Sequence, residues 1–338
     1  MKKAVWATHH LTRQSNEAHR DFQLLADQLI SLAGVAALLL FAVPLSLGVA
    51  NTTVTQTKHD GALALGTPST SEAAKESRNL LSWAQSNLAH HGWTVGAYGG
   101  VADTLNSTVR IVNPGRTDVT VSDFPWIGKP FRAPPYYGVR IQRWSNGLFG
   151  GMLDFTHGKA IGKTDATGTF KGTHNGKALP EKAPMTDVFS SFEFSHGHNM
   201  LTINGMLRGL PLLGFVRPYV GAGAGVSLPH TEIGFKGDNA RTYEYQYAGL
   251  VGQALVGLEW RIGPVTIFTE YKYSYAPYDV PLSQTYQGHL LVTDLWRQFM
   301  AWYTGENPPG GRLSTVLQTH HGIAGVMYNV PNPLRAGR

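Results

Sequence analysis

The sequence predicts an all-β protein, a single antiparallel up-and-down transmembrane β-barrel of about eight strands with long extracellular loops. Its 338 residues include 39 glycines and 11% aromatic residues, a composition typical of many short strands and turns. About eight segments alternate with a period of two, and each has roughly the length that crosses a membrane when tilted. Short and long connections alternate between these segments, as turns and loops do in outer-membrane barrels.

The amino-terminal segment predicts export. The stretch from Leu29 to Ala50 carries no charge and ends in Gly48-Val49-Ala50, a small-x-small pattern, followed by polar residues. We interpret residues 1–50 as a signal peptide, or as a signal anchor because about 20 apolar residues also suffice to span a bilayer. Residues 51–90 have the composition of a linker that can form a short helix near its end.

The barrel is expected over residues 91–330, followed by a tail over 331–338. In chain order the predicted strands are 92–102, 136–144, 149–157, 198–208, 217–228, 247–261, 265–276 and 317–328. The second, fourth and sixth connections are short, whereas the others run from roughly 20 to 40 residues. Short turns are periplasmic and long loops extracellular in such barrels, so the strand ends near 157, 198, 230 and 320 face the cell exterior.

Alternation within the strands separates two faces. In the seventh strand, Val265 and Ile267 share a face with three tyrosines, whereas Glu270 and Lys272 lie on the other face. Charges confined to one parity predict a polar lumen inside an apolar wall.

Composition also limits the kinds of catalytic group and binding partner that the protein can have. The chain has no cysteine, which excludes thiolate metal sites and cysteine nucleophiles, and its formal charge is +6. Without a dense basic run or an aromatic nucleic-acid motif, that charge does not indicate a nucleic-acid partner. It fits either an anionic membrane surface or solubility alone. No protein partner is predicted.

Histidines collect at the predicted extracellular mouth. The set comprises His157, His196, His198, His230, His320 and His321. Parity places Asp154 inward nearby, and His157 on the opposite face unless the strand ends or bulges. Inward imidazoles and carboxylates can bind a divalent metal or act as general acid and base. The alternative is that these histidines only fill the half-wet rim of the barrel.

Two long loops carry further signals. In the last loop, Leu295, Phe299, Trp302 and Tyr303 recur at helical spacing, which predicts an amphipathic helix at the membrane interface, either a lid over a lipid or a packed loop. In the first loop, Lys129 and Arg132 lie among aromatic residues, where they can meet the anionic head groups of lipopolysaccharide.

The segments WTVGAYGGVADT, PPYYGVRIQRW, GGMLDFTHGKAIG, GHNMLTINGMLR, RPYVGAGAGVSLPHTE and TEYKYSYAPYDVPL resemble the outer-membrane lipid A oxidases of rhizobial bacteria. The resemblance covers roughly residues 90 to 330. It implies a bacterial outer-membrane enzyme that uses molecular oxygen to convert the proximal glucosamine of lipid A to 2-aminogluconate, with release of hydrogen peroxide and a requirement for a divalent cation.

The resemblance brings no catalytic set, so we assign roles from parity and loop position. The candidate metal ligands are His157, His196, His198 and Asp154, and the candidate catalytic bases are Glu270 and His321. The candidate substrate-binding residues are Lys159, Lys272, Lys129 and Arg132. Two other functions stay open: a non-catalytic surface barrel of the opacity-protein or small-porin kind, and a lipid A deacylase that uses a His and Ser pair.

Overall fold

The computed structural model describes residues 92–145, 148–212, 216–285, 288 and 290–330. The predicted signal segment, linker and carboxyl-terminal tail lie outside these residues. In chain order the elements are β1 (Gly92–Thr104), β2 (Ser107–Asn113), β3 (Thr117–Phe124), β4 (Trp126–Ile127), β5 (Tyr137–Ser145), β6 (Phe149–Gly162), β7 (Thr167–His174), β8 (Lys177–Ala178), β9 (Lys182–Pro184), α1 (Met185–Val188), β10 (Phe189–Arg208), β11 (Val216–Ser227), β12 (His230–Phe235), β13 (Arg241–Tyr245), β14 (Gly249–Ile262), β15 (Val265–Pro281), α2 (Leu291–Thr304) and β16 (Arg312–Asn329).

Eight long strands form a closed antiparallel ring. Their order is β1, β5, β6, β10, β11, β14, β15 and β16, and β16 pairs back onto β1. Each corresponds to one of the eight segments predicted from alternation, although β6, β10, β15 and β16 extend further toward the exterior than predicted. The predicted all-β barrel is therefore confirmed.

Alternation sorts the side chains of the ring as predicted. On the outer wall, Ile203, Leu250 and Ile262 are exposed by 64% to 71%. Their neighbours on the opposite parity, such as Asn204 and Gln253, are buried in the lumen. An apolar exterior around a closed ring with no free edge is the architecture that crosses the bacterial outer membrane, which places the protein there.

The two ends of the barrel differ in their connections. At one end β5 and β6, β10 and β11, and β14 and β15 follow one another after a few residues. At the other end the chain forms four long connections, between β1 and β5, β6 and β10, β11 and β14, and β15 and β16. The first end is thus periplasmic and the second extracellular.

The long extracellular connections contain additional β-strands in regions that were predicted to be loops. Strand β2 pairs with the extended end of β16, β3 with β2, and β7 with β3, while β12 pairs with the extended end of β10. A hydrophobic core that includes Phe124, Phe192 and Phe194 packs beneath these strands. This core includes side chains of β2, β3, β7 and β10, so it joins the extracellular strands to the barrel wall.

Large side chains fill the lumen below that core. Arg140, Tyr219, Phe268 and Lys272 are each at most 1% exposed. The described part of the barrel is therefore packed rather than open, which argues against an open pore. No helix among the described residues is long and apolar enough to cross a membrane.

Candidate functional site

The centre of the lumen holds a network of two cations and two carboxylates. Arg140 donates to both oxygens of Glu270 at 2.9 Å and through Nε to Asp154 Oδ1 at 3.2 Å. Lys272 Nζ lies 2.8 Å from Asp154 Oδ2, and the Tyr219 hydroxyl donates to Glu270 at 2.8 Å. The four charged side chains have no exposed surface. Their charges balance, so removal of any one of them would leave a buried charge without its partner.

This network encloses three residues that have predicted roles in the site. Glu270 accepts three hydrogen bonds and is closed to solvent, so it is not placed to act as a base on a substrate. Lys272 is committed to Asp154, Tyr98 and Thr156 rather than to a substrate phosphate. Asp154 faces inward as predicted, but its oxygens already face the two cations and are unavailable to a metal.

His321 is also enclosed. Its Nδ1 lies 3.0 Å from the Tyr136 hydroxyl and its Nε2 lies 2.9 Å from Ser274 Oγ. Both ring nitrogens are occupied and the residue is only 1% exposed. His321, like Glu270, is thus an inward residue, as parity predicted, and packing encloses it in the lumen.

The predicted metal ligands are separated by the barrel wall. His198 points into the lumen, where its Nδ1 bonds the Tyr278 hydroxyl. The β10 pairing shifts register between Phe194 and His198, and Gly197 takes a φ of +144°. That irregularity leaves His196 exposed beside His230, with ring centroids 4.9 Å apart. His157 faces outward because β6 continues straight through to Gly162.

These positions do not fit a shared metal. Among the described residues, no group of three or more His, Asp or Glu side chains is arranged to hold an ion. The predicted set of His157, His196, His198 and Asp154 is therefore not assembled, and we assign no chemical step to a metal bound by these residues.

The outward face of β6 carries a column of four side chains that changes from apolar to polar toward the extracellular end. Leu153 and Phe155 belong to the apolar wall, and His157 and Lys159 follow at intervals of two residues, about 7 Å each. Because β6 alternates regularly here, these four residues share one face. We call them the outer column.

His157 is held in a defined orientation within this column. Its Nδ1 lies 2.8 Å from Asn199 Oδ1 on β10, and its ring stacks on Tyr137 of β5 with a centroid distance of 4.8 Å. The Nε2 atom is buried and has no hydrogen-bond partner among the described residues. His157 is 4% exposed, so this nitrogen is enclosed by protein and is costly to leave without a partner.

Lys159 is buried beside a cavity of about 610 Å³ on the extracellular side, which Arg132 helps to line. Its Nζ donates to the carbonyl oxygens of Arg132 and Ala133 at 2.7 and 3.1 Å. The cavity's charged lining residues are Lys129, Arg132, Lys163, Arg241, Asp165, Glu193 and Glu232. The structure therefore places two of the four predicted substrate-binding residues, Lys129 and Arg132, in the cavity lining. Lys159 is buried against the backbone of Arg132, and Lys272 lies in the lumen.

Two carboxylates in this cavity face each other on neighbouring strands. Glu193 of β10 and Glu232 of β12 are paired in register. Burial raises the pKa of Glu232, and the negative charge of Glu193 raises it further. The positive charge of Arg241, which lies 2.8 Å from Glu232, lowers it. A carboxyl group whose pKa moves toward neutrality is suited to general acid and base chemistry.

Sequence reasoning missed Glu232 because it lies on β12, outside the predicted barrel strands. The available signal was the segment HTEIGF, whose alternation continues past the end of β11. Arg241 and Lys163 were missed for a similar reason, since nothing in their local sequence indicates which cavity they line.

Helix α2 lies beside this region with its apolar face outward. Arg297 pairs with Glu244 at 2.7 Å and with Asp294 at 3.3 Å, which fixes the polar face against β13. Trp302 and Tyr303 are 75% and 73% exposed. The helix begins and ends close to the predicted amphipathic segment, and Gly305 closes it with a φ of +73°.

Comparisons with known proteins match only the general architecture. No family model and no curated protein matches the chain. Solved structures that match include the crystal structure of Neisserial surface protein A (NspA), with 12% identity, a TM-score of 0.31, and coverage of 71% of this chain and 97% of that chain. So remote a likeness says nothing about activity. The closed ring and apolar wall of its own strands make this chain a small outer-membrane β-barrel.

Proposed function

We propose that this barrel is an enzyme that oxidises the proximal glucosamine of lipid A to 2-aminogluconate at the outer leaflet of the outer membrane. The observation that carries the proposal is the charged extracellular cavity, which lies beyond the apolar wall of the barrel and has Lys129, Arg132 and Glu232 in its lining.

The column matches the two halves of an amphiphile. Leu153 and Phe155 offer apolar surface at the level of the acyl chains, and His157 marks the transition to polar surface. Above it, Lys129 and Arg132 in the cavity lining provide cations for phosphate groups. A lipid with several acyl chains and an anionic sugar head group is the ligand that this order of side chains favours.

Glu232 replaces Glu270 and His321 as the candidate base. In the proposed reaction, the proximal sugar has a free anomeric hydroxyl, and the carboxylate of Glu232 accepts its proton. The anomeric hydrogen leaves C1 with its electron pair and reduces molecular oxygen, which takes up that hydride and one proton to form hydrogen peroxide. The sugar becomes a lactone, and addition of water opens it to 2-aminogluconate, a net gain of one oxygen atom.

The reaction type in this proposal rests on the sequence resemblance, and the charged extracellular cavity supports its location. The deacylase alternative gains less support, because the closest Ser and His contact, between Ser274 and His321 at 2.9 Å, is sealed in the lumen. The exposed contact between Ser195 and His196 is longer, at 3.4 Å.

A non-catalytic surface barrel is the second candidate. The observation that favours it is the extracellular sheet with its own hydrophobic core, which presents a stable folded surface above the membrane. Such a protein would use the extracellular sheet for contacts and would leave lipid A unchanged.

Mass spectrometry of lipid A distinguishes these candidates. Lipid A from a host that makes this protein, grown with and without oxygen, should gain about one oxygen atom only in air. Loss of an acyl chain would indicate a deacylase. An unchanged spectrum from correctly inserted protein, in a host whose lipid A has a free anomeric hydroxyl, would support the surface barrel.

A further inference from the structure

The periplasmic end of the lumen contains a second charged cavity, of about 500 Å³. It lies at the opposite end of the barrel from the extracellular cavity, and none of the proposed lipid A chemistry involves it. Inward side chains from β5, β10, β11 and β14 line it, among them Gln142, Arg208, Arg217, Glu259 and Arg261.

The lining of this cavity carries more positive than negative charge. Three arginines and one glutamate are the charged residues among the described lining. Arg208 and Arg217 are only 4% and 7% exposed, and Arg208 lies 3.7 Å from Glu259. The central lumen network matches two cations with two carboxylates, whereas this lining carries two more positive charges than negative ones. An excess of buried positive charge favours an anion.

Contacts within the cavity also fix the orientation of its polar side chains. The guanidinium of Arg208 lies over the ring of Trp144, 4.4 Å from the ring centroid. Gln142 is 1% exposed and donates to Glu259 at 3.0 Å, which fixes its amide. The other amide atom, Oε1, is a buried acceptor with no partner among the described residues. A ligand hydroxyl could satisfy it.

We propose that this cavity binds a small oxyanion, a phosphate or carboxylate group on a hydroxylated solute that enters from the periplasm. Planar guanidinium groups bind both kinds of oxyanion through paired hydrogen bonds. Glu259 repels such a ligand while it orients Arg208 and Gln142, so it limits the affinity.

The test uses the full-length protein refolded in detergent micelles, with inorganic phosphate, citrate and chloride as probes at matched ionic strength. Saturable binding of phosphate or citrate, measured by calorimetry, is the expected result. The tighter of the two identifies the ligand chemistry as phosphate or carboxylate. Equal responses to all three probes, or no saturation with any, would overturn the proposal.

Variants locate the site. Arg217→Gln and Arg261→Gln should each weaken oxyanion binding by about 10-fold or more, as expected when one charged hydrogen-bonding group is lost. Arg143→Gln is the matched control, because Arg143 lies at the same end of β5 but on the exposed outer face, over Trp93. Its variant should bind as the unmodified protein does, and an equal loss would contradict a lumen site.

A gain-of-affinity variant keeps the test decisive if an arginine variant does not fold. Glu259→Gln removes the repelling charge, so it should tighten oxyanion binding by several-fold. Weaker binding in this variant would contradict the proposed role of the charge excess.

Discussion

Arg140 donates two parallel hydrogen bonds, each 2.9 Å long, to the two carboxylate oxygens of Glu270 on a strand across the lumen. The pair joins β5 to β15, which are not neighbours in the ring. It therefore ties opposite walls of the barrel together, and it explains why the lumen is packed rather than open.

Arg140→Ala should destabilise the barrel by about 3 to 5 kcal/mol, because it leaves the buried Asp154 and Glu270 short of positive charge. Urea unfolding of the refolded protein in micelles measures the effect. Adding Glu270→Ala to the Arg140→Ala variant should cost much less than Glu270→Ala alone, since the two residues interact directly. Additive costs would show that the pair does not couple the two strands.

Gly138→Ala should also destabilise the lumen, by about 1 to 3 kcal/mol. A methyl group at this position would lie 1.9 Å from Cζ of Tyr98, whose hydroxyl donates to Asp154. Gly252→Ala is the matched control in another strand, where a methyl group meets nothing within 4 Å. Equal unfolding midpoints for the two variants would contradict the described packing of Tyr98.

Arg297→Ala should loosen α2 from β13 by about 1 to 3 kcal/mol, a range that allows for the partial exposure of Arg297. The substitution removes the cation that pairs with the buried Glu244 and Asp294. Hydrogen exchange of residues 291–304 in micelles should accelerate relative to β14, with Arg110→Ala, at an exposed ion pair, as the control. Unchanged exchange would show that these ion pairs do not anchor the helix.

The pH dependence of lipid A oxidation should follow Glu232. As a base it works in its ionised form, so activity should rise as pH increases through its raised pKa. Glu193→Gln removes a like charge, which lowers that pKa and moves the acid limb of kcat/KM to lower pH. Arg241→Gln removes an opposite charge, which raises the pKa of Glu232 and should move the acid limb to higher pH. A positive charge on His196 also lowers the pKa of Glu232. Shifts with the opposite signs would exclude Glu232 as the titrating base.

The eight ring strands could be predicted from sequence because lipid and lumen impose opposite polarity on alternate residues. Val265 and Ile267 belong to one face and Glu270 and Lys272 to the other, and the structure keeps that division. The extracellular strands were less predictable. Their alternation is set by a local core around Phe124 and Phe192 rather than by the membrane.

The candidate site could be predicted only in part, because parity identifies a face and not a partner. Asp154 and Lys272 were both correctly placed inward, but sequence does not reveal that they neutralise each other at 2.8 Å. The register shift at Gly197 likewise separates His196 from His198 in a way that regular alternation cannot anticipate. Lys129 and Arg132 were found because their loop concentrates basic and aromatic residues.

The most direct test of the account compares lipid A from cells that make Glu232→Gln with lipid A from cells that make Glu181→Gln, an exposed carboxylate outside the cavity. Equal amounts of folded barrel in the outer membrane are a condition for the comparison. If the site lies in the extracellular cavity, Glu181→Gln yields lipid A with the additional oxygen atom and Glu232→Gln yields little or none. Equal oxidation by both variants would contradict that location.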